Sequence, residues 1–375
     1  MASESSMQLD RTLMFAYWGR RGPVAQLTLE LALAAANKRQ PITFSVSTSN
    51  ELYDRYAIFG NAIFPIRTFR FPHSAFSPAG IIRFRRDFRR RVVRDGTRAF
   101  VNLMAHVWSP TLLPIIRQNG IRHTVVVHEA RPHTGERAAL VYPWLLREAK
   151  AADHVVTLSE AIADELSGQH GISPERMSVL FHPDLSYGDV NNSRRSDEPV
   201  RLLFFGRLLP YKRVDIFLDA LEILRCEGTS FTAGIFGAGD VSAYWTRIRS
   251  LGVEVENRWI PTEKIAAIFS RHDVVVLCHT VASQSGIIAA AHGANLPVIV
   301  PPVGGLTEQV TPGITGLVAE RADAKAIAAE IRRIVDDPTL FARLRRGIEK
   351  TKGNRSVARF FDELTAVASK DLSNS

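Results

Sequence analysis

Apolar and polar positions follow two rhythms along this chain. Short runs of β-branched and aromatic residues alternate with longer stretches whose apolar positions recur at helical spacing. Leu13–Tyr17, Ile42–Val46, Ala99–Leu103, His123–Val127 and His154–Leu158 read as strands, with helices from about Val24 to Ala36 and from Ala161 to Gln169. The polar, turn-rich stretch Ser186–Pro199 (SYGDVNNSRRSDEP) reads as a linker. The pattern then restarts. Arg201–Phe205, Thr232–Phe236, Val274–Leu277 and Pro297–Val300 read as strands, and Val214–Leu224, Ile287–Gly293 and Ala324–Val335 as helices. Such runs, separated by helices, predict parallel sheets covered on both faces. Ligands in these folds sit beyond the carboxyl ends of the strands, so two facing units predict a cleft between them. Val357–Ala368 carries one more helical stripe.

Length agrees with two units, since 375 residues is more than one domain of ~150. At 46% hydrophobic and 23% charged, the chain can fill two cores. Cys226 and Cys278 lie in apolar surroundings outside any CxxC, which predicts buried, reduced thiols and a reducing compartment. The start, MASESSMQLDR, lacks the basic and apolar regions of a signal peptide. No apolar run reaches the ~18 residues of a membrane span. A cytoplasmic location is expected, and a net charge of +9 favours an anionic partner.

Three clusters carry chemistry. In Phe205-Gly206-Arg207-Leu208-Leu209-Pro210-Tyr211-Lys212 a glycine ends a strand and two cations follow on the loop. Arginine offers phosphate a planar fork and lysine a mobile point charge; a solvated basic loop is the alternative. In Gln284-Ser285-Gly286-Ile287 small polar residues lead into a helix, whose free N–H groups suit phosphate oxygens. Ser285 could equally be a simple N-cap. In Gly304-Gly305-Leu306-Thr307-Glu308 paired glycines allow a close approach, and Glu308 could accept from sugar or ribose hydroxyls or merely begin a helix.

In order, FFGRLLPYKRVD, FGAGD, QSGII, LPVIVPPVGGLTEQV and PGITGLV resemble the retaining glycosyltransferases of family four, across about Arg201–Val335. The resemblance implies an α/β GT-B fold: two Rossmann-like domains facing across a cleft, with a C-terminal helix crossing back to the first. The implied boundaries are 1–190 for acceptor binding, 191–350 for nucleotide-sugar binding and 351–375 for the returning helix. It implies that Arg207 and Lys212 bind the donor diphosphate. Gly206, Gly237, Gly239, Gln284, Ser285, Gly286, Ile287, Gly304, Gly305 and Glu308 then line the donor site, with Trp259 near the base. One departure stands out. The family's two glutamates, seven residues apart, fall near Ala282 and Ala290, and Gln284 is the natural substitute hydrogen-bonding group.

The first half resembles the family more loosely. Gly19 and Gly22 match its glycine loop near the donor phosphates. His128 matches a histidine beside the reacting sugar, although a structural histidine fits equally. His106, His133, Ser159 and Glu160 fall on the acceptor side, with His133-Thr134-Gly135 as an HxG. His128, Glu129 and His133 miss the HExxH spacing of a zinc site, so no obligatory metal or other cofactor is expected.

Transfer of a hexose from a nucleotide sugar, UDP-hexose or GDP-hexose, to a lipid-linked or polysaccharide acceptor is the implied reaction. Arg207, Lys212 and the helix from Ile287 would stabilise the departing diphosphate, and His128 would orient the sugar. A sugar-nucleotide isomerase, a phosphorolytic enzyme and a non-catalytic nucleotide-sugar-binding protein are the alternatives. Arg83, Arg85, Arg86, Arg89, Arg90, Arg91, Arg94 and Arg98, with Ile81, Phe84, Phe88 and Val92, form a basic amphipathic helix. It could rest on an anionic membrane surface, making the protein peripheral on the inner face, or pack by its apolar stripe with arginines in solvent. Nucleic acid is not expected, since no RNA-binding signature is present.

Overall fold

The computed structural model describes residues 12–69, 71–131, 141–192 and 198–370. Two parallel sheets organise the chain. The first contains β1 (Leu13–Tyr17), β2 (Ile42–Ser47), β3 (Ile63–Ile66), β4 (Ala99–Asn102), β5 (Arg122–Val127), β6 (His154–Thr157) and β7 (Met177–Val179). Their order is β3-β2-β1-β4-β5-β6-β7. Helices α1 (Pro23–Asn37), α2 (Pro78–Arg94), α3 (Leu113–Gln118), α4 (Tyr142–Ala151) and α5 (Glu160–His170) connect them. The second sheet contains β8 (Val200–Phe205), β9 (Phe231–Phe236), β10 (Glu254–Glu256), β11 (Val274–Val276), β12 (Val298–Val300) and β13 (Gly316–Val318), in the order β10-β9-β8-β11-β12-β13. Its helices are α6 (Val214–Cys226), α7 (Trp245–Ser250), α8 (Thr262–Ser270), α9 (Gly286–Gly293), α10 (Leu306–Gln309), α11 (Ala324–Asp336) and α12 (Pro338–Thr351).

The switch points lie beside β1, which pairs with β2 and β4, and beside β8, which pairs with β9 and β11. Loops leaving β1 and β8 therefore meet the cleft. Every residue of β1 and β2 is buried, as expected for strands covered on both faces. Phe15 packs edge-on against Phe44 at 5.5 Å and reaches Phe361 at 6.2 Å.

Phe361 belongs to α13 (Val357–Ser369), which returns to the first domain as expected. Phe360, Phe361, Leu364 and Ala368 are fully buried there, and Lys38 holds Asp362 at 2.6 Å. Each large apolar side chain contributes about 1.5–3 kcal/mol on burial, so this helix ties the two halves together.

On α2 the apolar stripe Phe84, Phe88 and Val92 is buried as its spacing predicts. Arg91 is buried too, bonded to Asp95 at 2.5 Å and to the Asn61 carbonyl at 2.9 Å. Arg83, Arg86, Arg89, Arg90, Arg94 and Arg98 are exposed. Of the two cysteines, Cys278 is buried and burial pushes its thiol pKa up, but Cys226 is exposed. The latter corrects the expectation from its apolar surroundings: as the last residue of α6 it lies beyond the packed face.

Candidate functional site

The loop after β8 turns at Gly206, whose φ is +103°. A Cβ there would lie 2.8 Å from Ile287 Cδ1 and 3.1 Å from Lys212 Nζ. The glycine, the Lys212 ammonium and the first turn of α9 therefore converge on one spot. Lys212 is only 7% exposed, and a cation held out of water attracts an anion more strongly than one in bulk solvent. Arg207 is exposed on the same loop. Arg213, next to Lys212, turns away and pairs with Asp215 at 2.7 Å.

Ser285 is the N-cap of α9, with its hydroxyl accepting from Ile287 N at 3.2 Å. Gln309, which sequence reasoning missed, accepts from Ser285 N at 2.6 Å and donates to Ser285 O at 3.1 Å. It braces the turn from which α9 starts.

The remaining glycines of the second domain owe their identity to loop packing. A Cβ on Gly237 would fall 1.8 Å from the Gly206 carbonyl oxygen, and one on Gly239 2.3 Å from that of Leu208. The loops after β8 and β9 thus lie flush. Likewise Gly304 and Gly305 rest on the carbonyl oxygens of Ala282 and Ser283, at 2.1 and 1.9 Å from a built Cβ. These contacts shape the rim of the cleft.

Across the cleft, His128 is buried. Its Nε2 lies 2.7 Å from the Leu103 carbonyl, which can only accept, so that nitrogen carries the proton. Nδ1 then accepts from Gln284 Nε2 at 3.0 Å, bridging the two domains. Burial lowers the pKa of His128, in keeping with a neutral ring whose two nitrogens are both engaged. The Gln284 side-chain oxygen is buried without a partner. His182, also missed, closes this corner: its Nε2 lies 4.0 Å from a Cβ built on Gly286, and burial pushes its pKa down to about 4. The sequence FHPD gave no signal for it, because its role depends on packing against α9.

Two carboxylates span the cleft. Glu308 reaches the start of α5, accepting from Glu160 N at 2.7 Å and Ala161 N at 3.1 Å. Beside it Ser159 caps α5 and donates to the Ser283 carbonyl at 2.8 Å. Residues expected on opposite sides, Glu308 for donor and Ser159-Glu160 for acceptor, thus meet. The second carboxylate, Glu51, accepts from Gly22 N at 3.1 Å, Thr262 Oγ1 at 3.2 Å and Trp259 Nε1 at 3.3 Å. Arg21 lies over the Trp259 ring at 4.2 Å. The loop is shaped by Gly19, where a Cβ would strike the Tyr17 hydroxyl at 2.3 Å, and by Gly22, with φ +99°.

His106 is boxed by Phe69 at 5.1 Å and Trp108 at 5.8 Å, and burial pushes its pKa down to about 4. Trp108 N donates to its Nδ1 at 3.1 Å. His133 and Gly135 lie outside the described residues. Among the described residues, no cluster of histidine, cysteine and carboxylate side chains could hold a metal ion.

Known proteins share both halves of this arrangement. Residues 24–183 match the family model described as Glycosyltransferase Family 4, and residues 199–337 match Glycosyl transferases group 1. Over the whole chain the fold recurs in a glycosyltransferase from Rickettsia africae, with TM-score 0.72, 15% identity, and 98% of this chain and all of that one covered. The chain has the GT-B fold. Another GT-B structure, Anabaena Alr3699/HepE in complex with UDP-glucose, has TM-score 0.71 and 16% identity, covering 94% of this chain and 99% of that one. The D-inositol 3-phosphate glycosyltransferase 1 of Catenulispora acidiphila is 27% identical over 239 residues, 58% of this chain and 57% of that protein. The chain thus spans a little over half the length of the curated relatives it matches. Among the described residues, no helix of this GT-B chain is long and apolar enough to cross a membrane.

Proposed function

We propose that this protein transfers a hexose from a UDP-hexose or GDP-hexose to a lipid-linked or polysaccharide acceptor, with retention of anomeric configuration and release of the nucleoside diphosphate. One observation carries the reading: Gly206, the Lys212 ammonium and the start of α9 meet in the cleft. Lys212, Arg207 and the α9 dipole stabilise charge developing on the leaving diphosphate. A leaving phosphate oxygen takes the acceptor proton, because His128 already uses both ring nitrogens. The unpartnered Gln284 oxygen accepts from a sugar hydroxyl, in place of the glutamates absent at Ala282 and Ala290. Donor recognition by a related fold, with UDP-glucose bound, supports the donor class. In this reading the transfer needs no bound metal, so EDTA leaves turnover unchanged.

The acceptor side lies near a basic, partly apolar surface. Phe71, Phe76 and Ile82 are 54%, 72% and 66% exposed, beside the exposed arginines of α2. The segment is tied to the acceptor side by Trp108, whose Nε1 donates to the Ala75 carbonyl at 2.5 Å. Such a surface suits anionic headgroups and supports a lipid-linked acceptor at the inner face of a membrane. A thermal-shift screen of UDP- and GDP-sugars tests the donor, since a ligand at 100 times its Kd adds about 2.7 kcal/mol. Flotation with phosphatidylglycerol and phosphatidylcholine vesicles tests the surface: binding to the anionic vesicles alone is expected. Absence of any shift with either nucleotide would overturn the transferase reading.

A further inference from the structure

We propose that Glu51 is a latch that closes the donor side of the cleft and yields its partners to an incoming diphosphate. The proposal rests on the donor-binding reading above. Glu51 follows β2 in the first domain, within the segment TSNELYD. Its carboxylate joins the domains: one oxygen accepts from Gly22 N and Thr262 Oγ1, the other from Trp259 Nε1. All three donors are neutral, so the whole arrangement is held by one anion.

Those donors are also what a nucleotide diphosphate would seek. Gly22 N is at the N-cap of α1, a fifteen-residue helix with no side-chain cap, and an anion is favoured there. Next to it, Pro23 Cγ lies 2.6 Å from a Cβ built on Gly286, so the starts of α1 and α9 abut. Glu51 is therefore bound at the start of α1, which abuts the start of α9, the helix whose Ile287 packs beside Gly206. Trp259 is occupied as well. Arg21 covers its ring at 4.2 Å and Glu51 takes its N–H. A base reaching that ring has to displace Arg21, and the released guanidinium becomes available to phosphate.

Charge decides the exchange. A carboxylate and a diphosphate cannot share one N–H, and they repel each other. Glu51 is exposed, so its bonds are weak enough to break: an exposed charged contact is worth at most about 1 kcal/mol, roughly fivefold in an equilibrium constant. Glu51 thus costs the donor a few-fold in affinity and ties opening of the cleft to donor arrival.

The test uses the full chain with Glu51→Ala, Glu51→Gln and Thr262→Val. Calorimetric titration with UDP and GDP, and with their hexose conjugates, gives affinity; small-angle scattering without ligand gives domain closure. The latch predicts about two- to fivefold tighter nucleotide binding in Glu51→Ala, a smaller gain in Thr262→Val, and a larger radius of gyration for both without ligand. Weaker binding in Glu51→Ala makes Glu51 a donor ligand, through ribose, and overturns the latch. Unchanged scattering overturns it too. If wild-type protein binds neither nucleotide, the donor reading fails and the latch's release with it, while an enlarged ligand-free Glu51→Ala would still establish closure by Glu51.

Discussion

Replacing Gly206 by alanine tests the link between backbone geometry and the phosphate pocket. The residue has φ +103°, where an L-side chain is strained by about 1–2 kcal/mol. The new Cβ would also sit 2.8 Å from Ile287 Cδ1, well inside the ~3.5 Å of ordinary carbon contact. Relieving such an overlap in a packed region costs about 1–3 kcal/mol. Together these give a loss of about 2–5 kcal/mol, a large share of a typical 5–15 kcal/mol. The colliding atom is the terminal methyl of isoleucine, so Ile287→Val removes the overlap but leaves the backbone strain. Urea unfolding followed by tryptophan fluorescence, on both single variants and the double, separates the two parts. The double variant should be more stable than additivity predicts by about 1 kcal/mol or more. The Lys212 ammonium lies 3.1 Å from the same Cβ, so nucleotide affinity should fall in Gly206→Ala and remain low in the double. Stabilities that add to within about 0.5 kcal/mol would refute the steric account.

Lys212→Ala and Arg207→Ala should each abolish turnover, by about a hundredfold or more, with circular dichroism spectra unchanged; normal turnover in both would remove them from catalysis. Glu308→Ala should cost about 1 kcal/mol in the urea midpoint, since α5 loses acceptors for two first-turn amides, and Glu308→Gln should cost less. Acid should destabilise the fold. His106 and His182 have folded pKa values pushed down by burial to about 4, so they resist protons that the unfolded chain binds below about 6.5. Stability is full above that pH and falls towards pH 4, by up to about 3 kcal/mol for each histidine. Asp184, which burial raises to about 6, offsets part of this in the same range. Unfolding midpoints measured from pH 7 to pH 4 check the sign, and His182→Gln should flatten the slope.

The convergence of Gly206, Lys212 and the start of α9 was legible because each part is local in sequence. Gly206, Arg207 and Lys212 follow one strand, and Ser285 and Gly286 begin one helix, so spacing alone brings them to a strand's carboxyl end. Other parts were illegible for the opposite reason. Short β3, β7, β10 and β13 carry too few residues for a periodic signal. Glu51 and Gln309 bond to partners 24 to 211 positions away and His182 acts by packing, and no local pattern records that. The same holds for Glu308, whose two bonds cross 147 and 148 positions.

By itself, the sequence determined the two parallel α/β units, their central strands and the returning helix, because burial on both faces writes unbroken apolar runs into the chain. It also marked the glycines, although not their cause. Only the tertiary structure decided which cation of Lys212-Arg213 faces the pocket, since the αL turn at Arg213 sends its guanidinium to Asp215 instead. Only it could show that His128 has no free nitrogen, or that Glu51 and Glu308 hold one domain against the other. Those outcomes depend on distances between residues far apart in the chain, which packing sets and local patterning does not encode.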